Sequence, residues 1–119
     1  YRWTDRVLVV SAPDRDDKEL EKVQDELASN REAFADRDML LVTLLDGGAS
    51  TAGDRELTAA EADAARAALD IPAGAFALRL IGKDGTVKLA RDSAVPVQEI
   101  FALVDTMPMR QRELSDRDR

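Results

Sequence analysis

The stretch VLVVSAPDRDDKEL, residues 7–20, decides how the rest of the chain is interpreted. Val7–Val10 is continuously apolar and rich in β-branched residues, which predicts a strand buried on both faces, as in a parallel sheet. A turn of small residues with Pro13 and Asp14 follows, and an acidic run with helical spacing begins near Asp16. Redox proteins of one widespread α/β fold keep a reactive cysteine in such a strand-to-helix turn. This chain has no cysteine, so the question is whether a site or only its scaffold remains.

The segment after the turn predicts a helix and then a second strand. Four apolar residues recur at helical spacing, namely Leu20, Val23, Leu27 and Phe34. They indicate one amphipathic helix, and Asp16 with Glu19 has capping-box spacing at its start. Met39–Leu45 is a second buried apolar run. The first 45 residues of the sequence therefore predict a right-handed β-α-β unit.

The middle of the chain predicts a loop and a second helix. Asp46–Glu56 contains three glycines and small polar residues, which favour a flexible loop. Thr58 and Glu61 then have the T-x-x-E spacing of a capping box. An alanine-rich helix follows and ends at Ile71-Pro72, because the residue before a proline is biased away from helical geometry.

The last part predicts a hairpin and a third helix. Phe76–Ile81 is a strand, and Gly82–Thr86 contains Asp84-Gly85, a strong hairpin signal. A short alternating strand from Val87 suits an edge position. Pro96 suits the first turn of a helix. The apolar face of that helix consists of Val97, Ile100, Phe101 and Val104.

The order β-α-β-α-β-β-α predicts an α/β fold with thioredoxin-like connectivity. We expect a four-stranded mixed sheet with helices on both faces. One domain covers residues 1–109, and residues 110–119 form a charged tail that we expect to be disordered. A small flavodoxin-like fragment is the alternative, and the Asp84-Gly85 hairpin argues against it.

Composition excludes several classes of function. The net charge is −7 with both signs interspersed, which disfavours nucleic acid and anionic membranes as partners. The longest apolar run is too short to insert across a bilayer. The chain also lacks histidine, so Ser–His–Asp, Cys–His and thiol-based redox catalysis are excluded. No signal peptide is recognisable at the start, which by itself says little about where the protein is found.

Three segments together resemble one protein family. They are RVLVVSAP at residues 6–13, IPAGAFALRLIGKDGTVKL at residues 71–89 and MPMR at residues 107–110. The chain resembles the bacterial domain-of-unknown-function family four-one-seven-four, which is grouped with the P-DUDES domains of vertebrate sushi-repeat-containing proteins, DRO and equarin. The resemblance covers roughly residues 2–112.

The resemblance implies a thioredoxin-like, peroxiredoxin-related fold and a periplasmic or secreted location. The vertebrate relatives are extracellular and matrix-associated. A peroxiredoxin-like role has been suggested for the family on fold grounds, but that chemistry needs a thiolate, which this chain cannot supply. The family offers no established catalytic residues to carry over.

The turn that holds Pro13, Asp14, Asp16 and Asp17 is the first candidate site. Its carboxylates are of the type that binds calcium, although the spacing lacks the glycine and distal glutamate of an EF-hand loop. Alternatively, they cap the helix and complement its dipole. We favour the capping interpretation.

Four further segments have a functional and a structural interpretation. Pro72 resembles the cis-proline that faces thioredoxin active sites, or it is a trans proline that ends a helix, which we favour. Lys83 lies in GKDGTVK, which is a phosphate loop or, as we favour, a hairpin. The Gly47–Gly53 loop is a lid or partner-binding segment or, as we favour, a slack connection. Met107–Arg110 packs under the sheet, which we favour, or forms a partner surface.

The sequence therefore predicts a non-enzymatic binding or interaction module that has no cofactor or metal and that binds a protein partner. The alternatives are a carboxylate- or metal-dependent enzyme and a structural envelope or matrix protein. No pair of carboxylates has a spacing that predicts an enzyme site. The identity of the partner and the oligomeric state are open at this point.

Overall fold

The computed structural model describes residues 4–117. A six-stranded mixed sheet with the strand order β4-β3-β2-β1-β5-β6 forms its centre. Along the chain the elements are β1 (Arg6–Asp14), α1 (Lys18–Ala28), α2 (Arg31–Asp36), β2 (Met39–Gly47), β3 (Thr51–Ala52), β4 (Arg55–Glu56), α3 (Ala59–Ala68), β5 (Ala77–Ile81), β6 (Val87–Arg91), α4 (Val97–Asp105) and α5 (Pro108–Arg117).

The strand directions follow the predicted order. β1 and β2 are parallel, with Val10 opposite Thr43, so the β-α-β prediction is confirmed. β5 runs antiparallel to β1, with Leu78 opposite Val10. β5 and β6 form the predicted hairpin, and β6 lies at the edge of the sheet.

The prediction of four strands is wrong, because the presumed flexible loop adds two. β3 pairs with β2, with Ala52 opposite Val42, and β4 pairs with β3, with Arg55 opposite Ala52. Gly53 adopts a φ of 60° in the turn between them, and its N–H donates to Leu41 O at 2.8 Å. Strands of two residues carry no measurable apolar periodicity, so the pattern could not reveal them.

The predicted first helix is two helices. α1 ends at Ala28, and Phe34 lies on the separate helix α2. The N-cap is Asp17 rather than Asp16, since Asp17 Oδ1 accepts from Glu19 N at 3.0 Å and from Leu20 N at 3.1 Å. The proposed capping box of Asp16 and Glu19 is therefore wrong, since the residue three positions after Asp17 is Leu20, whose side chain cannot return a hydrogen bond.

Helices cover both faces of the sheet, as predicted. On one face α1 and α4 pack against side chains such as Leu8 and Leu80, and the predicted apolar face of α4 is buried there. On the other face Ala62 of α3 packs with side chains such as Val9 and Leu44. Of the helices between residues 4 and 117, none has the length and apolar character needed to cross a bilayer.

The expected disordered tail differs from the structure. Pro108–Arg117 forms helix α5, and Arg110 is buried at 2% exposure. Ion pairs rather than apolar periodicity hold this segment, which is why its charged composition indicated a frayed end. Asp118 and Arg119, the last two residues of the predicted tail, lie outside the described residues.

Candidate functional site

Three segments meet at the carboxyl end of the parallel β1–β2 pair. Asp14 at the end of β1 lies opposite Gly47 at the end of β2. Because β5 is antiparallel, its first residue, Ala77, lies opposite Ser11 near the same end. The strand-to-helix turn, the glycine-rich segment and the residues before β5 are therefore neighbours. Open α/β sheets bind ligands at this end of their strands.

The acidic turn uses its carboxylates to hold the backbone. Asp14 Oδ1 accepts from Asp16 N at 2.9 Å, and Asp17 caps α1. Asp16 is exposed and Pro13 is half-buried. Within residues 4–117 there is no group of three or more His, Cys, Asp or Glu side chains that could hold a metal ion. The capping role favoured from the sequence is thus carried by Asp17.

Pro72 does not adopt the conformation of a thioredoxin cis-proline. No peptide bond between residues 4 and 117 is cis, so the bond from Ile71 to Pro72 is trans and the cis interpretation is wrong. Ile71 is buried beside α3, whereas Pro72 is exposed. The segment nevertheless reaches the carboxyl end of the sheet, because Gly74 N donates to Asp46 Oδ2 at 2.5 Å.

Asp46 joins the elements at this end, and sequence reasoning missed it. One carboxylate oxygen binds the Gly74 amide, and the other lies 3.2 Å from Arg66 Nη2 on α3. A signal was available for both side chains. Asp46 directly follows the apolar run Met39–Leu45 near the carboxyl end of β2, which is where site residues of such sheets occur. Arg66 is the one basic residue of the alanine-rich helix α3.

A polar pocket opens beside Asp46, between the β3–β4 hairpin and the start of α3. Its volume is ≈ 230 Å³. The charged and hydroxyl side chains of its lining are Asp46, Ser50, Glu56, Thr58, Asp63 and Arg66. We call it the Asp46 pocket. Three carboxylates face one guanidinium, so the lining has a net negative charge.

The amino end of α3 lies at the Asp46 pocket, but the carboxylate of Glu61 already accepts a hydrogen bond from a backbone amide there. Thr58 Oγ1 accepts from Glu61 N at 3.1 Å, and Glu61 Oε1 accepts from Thr58 N at 3.0 Å. The predicted capping box is confirmed. The hydrogen bond from the Thr58 amide, followed by that from Arg55, lowers the pKa of Glu61. The helix end therefore offers little attraction to an additional anion.

Arg66 retains hydrogen-bonding capacity. Its side chain is 13% exposed, and Nη1 donates to Asp63 Oδ1 at 3.3 Å. Within the part of the chain that the structure describes, Nε and Nη2 have no hydrogen-bond partner, since the approach of Nη2 to Asp46 lacks suitable geometry. Ser11 Oγ, buried on β1, also has none, and neither does Arg6 Nε at the other end of the sheet. Unsatisfied buried polar groups are costly.

Hydrogen bonds hold the glycine-rich segment Gly47–Gly53 in place, so it is not a slack connection. Ser50 Oγ accepts from Leu45 N at 2.9 Å, and Leu57 N donates to Ser50 O at 2.8 Å. Ser50 is accordingly buried. These bonds fold the segment over the end of β2, where it forms one wall of the Asp46 pocket.

The GKDGTVK segment is the hairpin that we favoured. Gly82 N donates to Thr86 O at 3.0 Å, and Lys88 Nζ donates to Asp84 Oδ2 at 2.8 Å. The hydrogen bond from Lys88, followed by those from Thr86, holds the pKa of Asp84 well below its ordinary range. Lys83, in the same segment, binds Asp38 and Glu113 at the amino end of the β1–β2 pair.

The amino end of the β1–β2 pair contains a dense set of ion pairs, which we call the amino-end ion network. Its members are Arg6, Asp36, Arg37, Asp38, Lys83, Asp105, Arg110 and Glu113. Arg6 is fully buried and binds Glu113 at 3.1 Å. Glu113 also binds Lys83 at 2.9 Å. These bonds attach α5 to the sheet.

Opposite charges keep these groups ionised despite burial. Burial opposes ionisation of Glu113, but hydrogen bonds from Arg6 and Lys83 outweigh it and lower its pKa. Burial likewise opposes the charge of Lys83, yet its bonds to Asp38 and Glu113 raise its pKa. Met107 and Arg110 are both buried, so the segment from Met107 packs against the body, as favoured from the sequence.

A comparison with known protein families matches the chain over residues 1–113. The match spans the sheet, the Asp46 pocket and the first residues of α5, so it extends beyond the domain boundary predicted at residue 109. No function is attached to the matching description. The chain belongs to the family described as Domain of unknown function (DUF4174).

Proposed function

We propose that this chain is a non-enzymatic binding module on a thioredoxin-like scaffold without redox cysteines. In this proposal the Asp46 pocket takes a cationic group, such as a lysine or arginine side chain of a protein partner. The observation that carries the proposal is the net negative lining of a pocket at the carboxyl end of the parallel pair. Ligands of open α/β sheets bind at that end.

The charge distribution favours a cation over an anion. Arg66 lies within 3.3 Å of both Asp46 and Asp63, so one guanidinium is shared by two carboxylates, and Glu56 adds a third carboxylate to the lining. The capping box keeps the amino end of α3 from acting as an anion site. A bound amine or guanidinium would donate to these carboxylates, and charge-assisted hydrogen bonds are the stronger ones.

Binding rather than catalysis fits the available side chains. The chain contains neither cysteine nor histidine, so it has no thiolate nucleophile and lacks the commonest general base. Asp14 and Asp17 in the turn are engaged by backbone amides. The carboxylate- or metal-dependent enzyme and the structural envelope protein stay alternatives without a specific observation in their favour.

The thioredoxin-like assignment and the location are part of the same proposal. Strands β2-β1-β5-β6 combine a parallel pair with an antiparallel hairpin, which supports thioredoxin-like connectivity with β3 and β4 as an addition. Kinship with the P-DUDES domains and a periplasmic or secreted location rest on the sequence resemblance. Fractionation of cells that express the full-length gene product tests the location.

The pocket proposal is tested by a residue-resolved NMR titration. N-acetyl-arginine amide is the probe, and N-acetyl-citrulline amide is an uncharged ligand of nearly the same shape. We expect the arginine compound to shift the amides of Ser50, Thr58 and Gly74, and the citrulline compound to shift them far less. Equal shifts with both ligands, or no shifts at these amides, would overturn the proposal.

Two variants connect the binding to the carboxylates. Asp46→Asn keeps an acceptor for the Gly74 amide but removes the charge, and we expect binding to weaken about tenfold. Glu56→Gln at the exposed rim should weaken it about two- to fivefold. Asp25→Asn, on the exposed face of α1, removes the same charge far from the pocket and should leave the affinity unchanged.

A further inference from the structure

β6 is an edge strand long enough to accept another chain. Val87–Arg91 pairs with β5 on one side and, within residues 4–117, with no strand on the other. An unpaired strand edge offers a row of backbone donors and acceptors to any extended segment. The opposite edge of the sheet, β4, contains only Arg55 and Glu56, which is too short for such pairing.

A groove lies beside this edge, between β6 and α4. Its volume is ≈ 640 Å³, larger than that of the Asp46 pocket. Leu89 and Leu103 are half-buried in its floor, and Val87 is 48% exposed. Glu99 of α4 lines it as well. We call it the β6 groove. It combines an open strand edge with apolar contacts, the two parts of strand-addition recognition.

The charges of β6 favour one kind of binding partner over another. The strand carries Lys88 and Arg91 and no carboxylate. Lys88 is paired with Asp84, whereas Arg91 forms no ion pair within the described residues and donates only to the carbonyl of Ala90. A second copy that paired β6 with β6 would bring cations together with no carboxylate on either strand, which is destabilising. An acidic segment complements Arg91 on the strand edge, whereas Glu99 disfavours a carboxylate on the α4 side of the groove.

The protection of the edge is incomplete. Proteins guard edge strands with lysines and bulges, and both occur here: Lys88 and an irregularity between Leu80 and Ile81. The irregularity lies at the turn end of the hairpin. Leu89–Arg91 keeps a regular register against β5, so its outer edge stays straight enough to pair.

We propose that the β6 groove binds an extended, acidic segment of a partner protein by strand addition. An apolar side chain of that segment covers Leu89 and Leu103, and a carboxylate lies beside Arg91. The β6 groove is at the opposite edge of the sheet from the Asp46 pocket, so this inference does not depend on the proposed function.

A set of three blocked octapeptides tests this proposal. The first alternates valine with glutamate, the second alternates valine with lysine, and the third is the acidic peptide with proline at a central position. Fluorescence anisotropy measures affinity, and amide shifts of β6 locate the site. We expect the acidic peptide to bind at Val87–Arg91 and the lysine peptide not to bind. The proline peptide should bind at least about tenfold more weakly because it lacks a ladder donor.

Arg91→Gln should weaken the acidic peptide about two- to fivefold, as for one exposed charge pair. Arg15→Gln removes an exposed arginine that makes no side-chain hydrogen bond or ion pair within the described residues and should change nothing.

Equal binding of the proline peptide, amide shifts outside β6 and α4, or no binding would overturn the proposal. Self-association through β6 would also overturn it, because the occupant would then be a second copy. A Glu56→Gln variant that still binds the peptide separates this site from the Asp46 pocket.

Discussion

The two ends of the parallel β1–β2 pair use their charged residues in opposite ways. At the amino end, Arg6, Lys83 and Glu113 form ion pairs that hold α5 in place, and in the described part of the chain only Nε of the Arg6 guanidinium lacks a hydrogen-bond partner. At the carboxyl end, Arg66 and Ser11 have polar atoms without hydrogen-bond partners in the described part of the chain, and a pocket with excess negative charge opens beside Arg66.

This difference teaches where to look for function on a chain that contains neither cysteine nor histidine. A buried charge with a full set of partners has a structural explanation, and removing it costs stability. A pocket whose lining carries excess charge has room for a ligand of the opposite charge. The account therefore assigns stability to the amino end and binding to the carboxyl end.

The largest expected effect is at the amino end. Arg110→Ala removes a buried guanidinium that binds Asp36 at 2.9 Å and Asp105 at 3.1 Å. We expect a loss of about 3 kcal/mol in the free energy of unfolding, since a buried guanidinium loses its packing and its bonds to two partly exposed carboxylates. Urea unfolding measures it. Arg112→Ala, an exposed position on the same helix, is the matched control and should cost less than about 0.5 kcal/mol. Equal losses would break the comparison.

The pH dependence of stability should also come from the amino end. Burial opposes ionisation of Asp105, but the hydrogen bonds from Arg37 and Arg110 lower its pKa, and that of Glu113 is lowered as well. As the pH falls, the unfolded chain takes up protons before the folded one, so stability present at neutral pH declines below about pH 4.

Urea unfolding across an acidic pH series measures this decline. Glu113→Gln should be less stable at neutral pH and should show a shallower loss on acidification. Asp25→Asn controls for the removal of one carboxylate elsewhere. A variant curve parallel to that of the wild type would show that Glu113 does not contribute to the decline.

A smaller effect separates capping from ligand binding in the acidic turn. Asp17→Ala should cost about 1 kcal/mol, because two amide donors of α1 lose their acceptor. Asp16→Ala should cost less than about 0.5 kcal/mol, since its side chain is exposed. Denaturant midpoints distinguish the two. If Asp16→Ala proved the more harmful, the cap would be misassigned.

The smallest effect concerns the unsatisfied hydroxyl of the carboxyl end. Ser11→Ala should be neutral or stabilise the protein by up to about 1 kcal/mol, because the buried Oγ has no partner among the described residues. Ser50→Ala, by contrast, should cost about 1 kcal/mol through the lost bond to the Leu45 amide. Destabilisation by Ser11→Ala would mean that the two ends differ less than proposed.

Much of the architecture could be predicted, because long apolar runs and turn chemistry carry it. Val7–Val10, Met39–Leu45 and the Asp84-Gly85 turn gave the β-α-β unit and the hairpin. The β3–β4 hairpin was missed because its strands are too short for periodicity. Helix α5 was missed because it is held by Arg110 and Glu113 through residues far away in sequence.

The candidate site was only partly predictable. The sequence pointed through Asp14 and Pro72 to the same end of the sheet as the Asp46 pocket, yet the side chains that define the pocket, Asp46 and Arg66, lie on different elements. Only the folded chain brings these two side chains together, so no local sequence pattern indicates the contact. The capping role was assigned to the wrong aspartate because neighbouring carboxylates compete for the same amides, and backbone geometry selects Asp17.

The most direct test of the account measures stability and binding together for one variant from each end. Asp46→Asn and Glu113→Gln are compared by urea unfolding and by calorimetric titration with N-acetyl-arginine amide. The account predicts that Asp46→Asn loses affinity about tenfold with little change in stability. It predicts that Glu113→Gln loses about 2 kcal/mol of stability while the folded protein keeps its affinity. The reverse pattern, or two variants that change both quantities alike, would contradict the division of roles between the two ends.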